Sequence, residues 1–526
     1  MARLAPFTSR YAPNAMVCAV DHLAAQAGVA TMRAGGNAAD AAVATSAVLA
    51  VTTQQMCGMG GDLFAVVHRD GERPQALNSS GRSGSGADPE RLRAEGHTFM
   101  PPTGDIRSVP VPGCVDGWLA LHERFGAVPL DQVLEPARQY AADGFPASPT
   151  LAASASTVAH LPGGEAFQAA THLGALVRRP GVARALEAIA SGGREAFYGG
   201  EFGDGLLRLG AGEYSESDLT SPLADWVEPL VVDALGARIW TTPPNSQGYL
   251  TLAAAWIVGG LALPDEPDDP LWAHLLIESA RQAAYDRNDV LHEHADGAAL
   301  ISPERLAPRR SAICADQAVR MGDRYASGGT ISLCTVDSDR MAVSLIQSNA
   351  SGFGAEIAEP STGIFLQNRG VGFSLQPSHP AEYGPRRRPP HTLSPALVTT
   401  TDDRLQIVLG TMGGDSQPQI LLQLLCRMLR GDEPVGEAVA AGRWVLSNPR
   451  ERRGFTTWDA GGEVKVELEA NTPDRWVDGL ESRGHIVARH RRMDHGFGHA
   501  NVIACHDGCL EGASDPRALA GAAAGY

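Results

Sequence analysis

The chain has 526 residues, 44% of them apolar, and a formal charge of −17. That is ample for a large buried core, and the acidic balance makes nucleic acid and anionic membrane poor partners. Lys465 is the only lysine, which argues against a phosphate-binding loop and a pyridoxal Schiff base; no Gly-x-Ser-x-Gly, His-Glu-x-x-His or Gly-x-Gly-x-x-Gly occurs.

The stretch Met1–Arg10 lacks a hydrophobic signal core, so a cytoplasmic protein is expected. Leu23–Arg33 reads as a helix stopped by Gly35-Gly36-Asn37, and Ala38–Val51 as a second, buried on most sides. The uncharged run Ala41–Met56 falls short of a membrane span. After Cys57-Gly58-Met59-Gly60-Gly61-Asp62 come the strand Leu63–Val67, a turn at Asp70-Gly71, and Ala76–Arg82. Helical patterns follow the Pro/Gly-rich approach Val109–Trp118, and Leu271–Asn288 reads as a strong helix. His292-Glu293-His294 reads as a solvated helix end. The eight cysteines are scattered without zinc-site spacing, so free thiols, no metal and no cofactor are expected.

Arg309–Ser327 is polar and aperiodic, and it leads into Gly328-Gly329-Thr330. From Ile331 the residues alternate as a half-buried strand, turn at Asp337-Ser338-Asp339, and return as Met341–Ile346. A cut before Thr330 would place a hydroxyl and a new α-amine on one residue. An α-amine has a pKa near ~8 and can take the hydroxyl proton, which makes a threonine nucleophile. The alternative is a Gly-Gly turn that merely opens a strand. Farther on, Leu405–Leu409 runs into Gly410-Thr411-Met412-Gly413-Gly414-Asp415 before a helix near Ile420. Such a turn leaves N–H groups free for an oxyanion, or is simply tight. The strand Asn501–Cys505 precedes a Gly/Ala-rich tail.

Taken in order, Gly35–Ala42, Gly58–Asp62, Arg82, Val111-Pro112-Gly113, Ala284–Arg287, Thr330–Asp337, Asn349, Gly363–Asn368 and Gly413-Gly414 resemble the motifs of the gamma-glutamyltranspeptidase family across nearly the whole length. The resemblance implies an α+β fold, the four-layer αββα sandwich of N-terminal nucleophile hydrolases. It implies a proenzyme that cuts itself between Gly329 and Thr330 into fragments 1–329 and 330–526, which stay together as a heterodimer. A higher oligomer is left open. By position, Thr330 is then the nucleophile, Gly413 and Gly414 the oxyanion residues, Arg82 the holder of a substrate carboxylate, and Asn349 the asparagine near its amino group.

Two departures bear on substrate. Where glutathione-cleaving members carry an acidic pair, this chain has Val371 and Gly372, with Arg369 beside them either in the pocket or in solvent. Where they carry paired serines that cap the substrate pocket, it has His391 and Thr392, with His391 either a substrate contact or a hydrogen-bonded pocket wall. An unpaired ammonium in a pocket is costly. The leading expectation is a threonine amidohydrolase or acyltransferase for gamma-glutamyl amides such as glutathione. Its rivals are an amidase for an acyl amide without an α-amine, of the oxamate or glutaryl type, and an unprocessed scaffold that binds a small acid.

Overall fold

The computed structural model describes residues 9–325, 329–448 and 463–526; Gly328, and most of the stretch read for a signal core, lie outside them. Ile331–Val336 and Ala342–Ser348 pair antiparallel, as the alternation predicts, but every one of their residues is buried. A strand buried on both faces needs a layer on each side. This hairpin lies in the middle of a seven-stranded sheet. Its order is Ala522–Gly525, Met16–Ala19, Ile331–Val336, Ala342–Ser348, Asp62–His68, Gln75–Ser79 and Asp225–Val227, all antiparallel.

The second sheet, also of seven strands, runs Arg10–Ala12, Cys509–Ser514, Ala500–His506, Leu405–Thr411, Ala396–Thr399, Ala237–Thr241 and Leu230–Ala234. Met16, Cys18, Val66, Cys334 and Val336 of the first sheet pack on Trp240, Leu397, Val408 and Ile503 of the second. Helices His22–Arg33 and Ala38–Thr52 cover the outer face of the first, and Leu130–Asp143 packs on them in turn. Tyr249–Gly259 and Gln417–Leu429 cover the second, and Pro270–Ala284 packs on both of those helices. This is the four-layer αββα sandwich. Both sheets draw strands from either side of Thr330.

Several motif residues have plain structural work. Asn37 caps the helix Ala38–Thr52, accepting from the Ala39 and Asp40 amides while Asp40 accepts from the Asn37 amide. Asp337 accepts from the Ala38 amide and so ties the hairpin turn to that helix. Ala38–Thr52 is buried at all 15 positions, so its alanines serve close packing.

Four expectations are corrected. The helix from 270 stops at Ala284 and a short turn resumes at Arg287–Val290, because Arg305 and Arg309 grip Asp286 and turn the chain. The strand expected over 363–366 shrinks to Ile364–Phe365. The Gly/Ala tail forms two strands, Cys509–Ser514 and Ala522–Gly525; backbone pairing with Met16–Ala19 overrides alanine's weak strand preference. Glu293 is not solvated: its side chain is 8% exposed and pairs with Arg82 at 3.0 Å. Among the described residues no helix is long and apolar enough to cross a membrane.

Candidate active site

Extending the hairpin register by one pair sets Thr330 opposite Ser348. Their hydroxyls lie 3.1 Å apart. Both point at the bond expected to break: Thr330 Oγ1 donates to the Gly329 carbonyl at 2.6 Å, and Ser348 Oγ donates to the same oxygen at 2.7 Å. Two hydroxyl donors on one carbonyl polarise it toward attack. Ser348 Oγ in turn accepts from the Ala350 amide at 2.8 Å. Ala350 has φ 77°, a left-handed conformation that a residue with a Cβ adopts only when its surroundings impose it.

Farther upstream, Asp323 and Tyr325 are held in place. Arg281 holds Asp323 through two hydrogen bonds of 2.9 and 3.1 Å. The Tyr325 hydroxyl donates to Asp323, and the Tyr325 amide donates to Asn448 Oδ1. Tyr325 is five residues before Thr330 in the sequence.

Gly413 and Gly414 sit at the end of the strand Leu405–Thr411, ahead of the helix Gln417–Leu429. Their φ values of 140° and 57° turn the two peptide units out of the sheet, as an anion-receiving turn requires. Gln247 donates to the Gly414 carbonyl at 2.9 Å, and Arg287 donates to Gln247 at 2.9 Å while lying 3.3 Å from Asp415. Gly413 and Gly329 line one cavity of about 760 Å³, walled by Met56, Pro149, Phe353 and Met412.

Arg369 was left open between pocket and solvent. It is 1% exposed, and its guanidinium donates to Thr392 Oγ1 at 3.0 Å and reaches Ser348 Oγ at 3.5 Å. Burial pushes it down to about 10, partly offset by Asp62, so it stays cationic at neutral pH.

His391 and Asp62 form a buried pair at 3.0 Å. His391 Nδ1 accepts from the Leu393 amide, so Nε2–H donates to Asp62. Burial, with Arg369 nearby, pushes His391 down to about 3, which keeps the ring neutral. Asp62 also accepts from the Gly81 amide at 2.8 Å, Gln367 at 2.7 Å and, more distantly, the Gly113 amide at 3.4 Å. One carboxylate thus gathers five separated motif segments.

Of the residues singled out from sequence, Gly329 and Gly413 line one cavity, Thr330 follows Gly329, and Thr392 is linked to Ser348 through Arg369, while the Gly414 carbonyl accepts from Gln247. Arg82 is held by Glu293 and the Arg386 carbonyl and does not line that cavity. The Asn349 amide donates to the Gln54 carbonyl. His391 is the partner of Asp62. Sequence reasoning missed Ser348, although counting across the hairpin turn would have found it. It also missed the role of Asp62, for which no local signal exists. Among the described residues, His274, Glu278 and His485 have metal-like spacing. Their donors are already engaged: His274 with the Cys314 carbonyl and His485, Glu278 with Arg281 and the Val319 amide.

The profile of the gamma-glutamyltranspeptidase family matches residues 24–526. The oxamate amidohydrolase proenzyme of Klebsiella pneumoniae is 34% identical over 99% of this chain and all of that protein. A glutathione hydrolase-like proenzyme of Bacillus subtilis, YwrD, is 34% identical over 95% of this chain and 97% of its own. Among solved structures, cephalosporin acylase from Bacillus halodurans superposes with a TM-score of 0.90 at 32% identity, covering all of this chain and 98% of that one. With the αββα sandwich in place, the chain belongs to the gamma-glutamyltranspeptidase family and is an N-terminal nucleophile hydrolase.

Proposed function

We propose that the protein is a self-processing threonine amidohydrolase with Thr330 as nucleophile. The observation that carries this reading is the Gly329 carbonyl held by both the Thr330 and Ser348 hydroxyls. Thr330 Oγ1 attacks the Gly329 carbonyl carbon, and the peptide C–N bond breaks as the nitrogen takes a proton. An ester links Gly329 to Thr330 until water hydrolyses it, leaving fragments 1–329 and 330–526 as a heterodimer. The freed α-amine then takes the hydroxyl proton as Thr330 attacks a substrate amide. Gly413 and Gly414 receive the developing oxyanion. The amine leaves, and water or an amine acceptor releases the acyl group.

Two acyl donors are in question, a gamma-glutamyl amide of the glutathione kind and an amide without an α-amine. Val371 and Gly372 offer no carboxylate to an ammonium, and Arg369 is a buried cation beside the site, so the second is favoured. The oxamate amidohydrolase relative fits that choice by its name. The test is mass spectrometry of purified wild type and Thr330→Ala. Wild type is expected as two fragments with Thr330 at one N-terminus, and the variant as one inactive chain. A single unbroken chain in active wild type would sink the reading, and an unbroken chain without activity would favour the scaffold.

A further inference from the structure

We infer that the cavity shared by Gly329 and Gly413 seats the acyl chain of the substrate, and that this chain is apolar. The donor is then an amide of a medium-length aliphatic or aryl-ended acid without a second carboxylate. This rests on the reading of Thr330 as nucleophile. In the uncut protein the acyl group facing Thr330 is Gly329 itself, its carbonyl held by the Thr330 and Ser348 hydroxyls. A Cβ on Gly329 would come within 2.8 Å of the Gly352 nitrogen, so the Gly329 Cα lies beside Gly352. Gly352 and Phe353 line the same cavity as Gly329. A substrate carbonyl that takes the place of the Gly329 carbonyl brings its own α-carbon to this spot, and the chain beyond it runs past Gly352 and Phe353 into the cavity. Thr330 Oγ1 forms an ester with the acyl carbon, the C–N bond breaks, the amine leaves with a proton, and water releases the apolar acid.

The walls fit such a chain. Met56, Phe353 and Met412 form the buried part, with Phe353 fixed by ring contacts to Phe167 and Phe365 at 5.4 and 5.3 Å. Methionine side chains adapt to irregular apolar shapes. Pro149, Ala153 and Leu519 continue the apolar surface outward. Leu519 is 66% exposed and sits at φ 63°, two residues past Arg517, which Glu469 and Asp515 clamp. A large apolar side chain held in water in that conformation, on the same cavity as other apolar walls, gains most from an apolar partner. Among the described residues, the charged walls are Arg491 and Glu356, both exposed, and Arg491 already pairs with Asp494 at 2.8 Å. Neither Arg82 nor Arg369 lines the cavity. A carboxylate on the acyl chain would therefore lose water there without gaining a buried cation. The volume of about 760 Å³ lies in the range of sites that enclose drug-sized ligands, and a two-carbon acyl group would leave most of it to water.

The experiment measures kcat/KM of the purified protein on acetyl, butyryl, hexanoyl and octanoyl p-nitroanilides, with the succinyl and glutaryl compounds beside them. Wild type is expected to gain roughly threefold per added methylene as the chain fills the cavity. It should also cleave the hexanoyl compound at least about tenfold faster than the glutaryl one. Two exposed walls are then made polar. Leu519→Asn suits the left-handed backbone, and Ala153→Asp puts a charge on the outer wall. Each should lower the octanoyl-to-acetyl ratio by about threefold or more. A flat or falling series, a preference for glutaryl, or a ratio unchanged in both variants would each overturn the proposal. So would a larger gain when the chain sits on the amine, read as acetyl 4-butylanilide against acetyl anilide. Damage that is merely structural lowers all rates alike and leaves the ratio intact, which counts against the proposal. Mass spectrometry of the same samples separates the two readings. An uncut chain sinks the hydrolase and this inference with it, whereas a cut chain with a flat series sinks the apolar acyl seat alone.

Discussion

Ser348 faces the peptide carbonyl that the proposed self-cleavage would consume. It donates to the Gly329 oxygen while the Ala350 amide holds its own oxygen in place. Replacing it with alanine removes the hydroxyl that can still donate to the developing oxyanion when Thr330 attacks, worth on the order of 10²-fold in rate at comparable sites. Ser348→Ala should accordingly fold but cut slowly, seen as intact chain persisting over a time course on a denaturing gel. Cleavage at the wild-type rate would remove Ser348 from the mechanism. Asp62 calls for the opposite expectation. Asp62→Ala strands the buried donors of Gly81, Gln367 and His391, and leaving such groups unpaired costs about 3 kcal/mol or more in total. A fall in the urea midpoint should precede any question of activity.

At the scale of elements, the glycine turn and the hairpin face each other across one cavity, and both depend on backbone that a side chain would disturb. A Cβ on Gly61 would lie 2.3 Å from the Ser348 carbonyl, backbone against backbone. Gly61→Ala should therefore displace Ser348 and slow self-cleavage without touching the chemistry directly. Gly413 at φ 140° lies where a Cβ costs about 1–3 kcal/mol. Gly413→Ala should lower kcat more than it raises KM, read from steady-state kinetics on any turned-over amide. The hairpin was legible because its alternation and its Asp-Ser-Asp turn are local. The glycine turn was legible as a turn, and its purpose came from the family resemblance. Arg369 was not placed, since local sequence says nothing about which face of a short turn meets the nucleophile. The tail strands were hidden because alanine is poor evidence for a strand, and only Met16–Ala19, some 500 residues away in sequence, makes them one.

For the whole molecule, acid is the vulnerable direction. Burial pushes His391, His485 and His499 each down to about 3, against ~6.5 when unfolded. Below pH ~6.5 the unfolded chain binds protons at these rings that the folded chain refuses, so stability falls as pH drops from there toward 3. Glu213, pushed up to about 7 by burial, works the other way, binding one proton in the folded state that the unfolded state gains only near pH ~4.3. His68, His274, His292, His379 and His495 are also lowered by burial, whereas Asp21, Asp116, Glu278, Asp337 and Glu433 are raised with Glu213. Carboxyls free in the unfolded chain titrate near ~4, so between pH 6.5 and 5 the rings dominate and the melting temperature should decline. A flat profile across that range would mean the rings are charged and paired as folded.

Both sheets interleave strands from before and after residue 330, with Ile331–Val336 wedged between Met16–Ala19 and Ala342–Ser348. A nick at that point severs the chain without separating anything, so the halves should travel as one particle through a sizing column. It also makes assembly a one-way event. Before the nick, every strand finds its place by unimolecular folding. Afterwards the same sheets would have to be rebuilt by an encounter of two partial folds, each missing its neighbours. The mature protein, once unfolded, should regain structure only in a dilution-dependent way, if at all, while an uncut Thr330→Ala chain refolds at a rate indifferent to concentration.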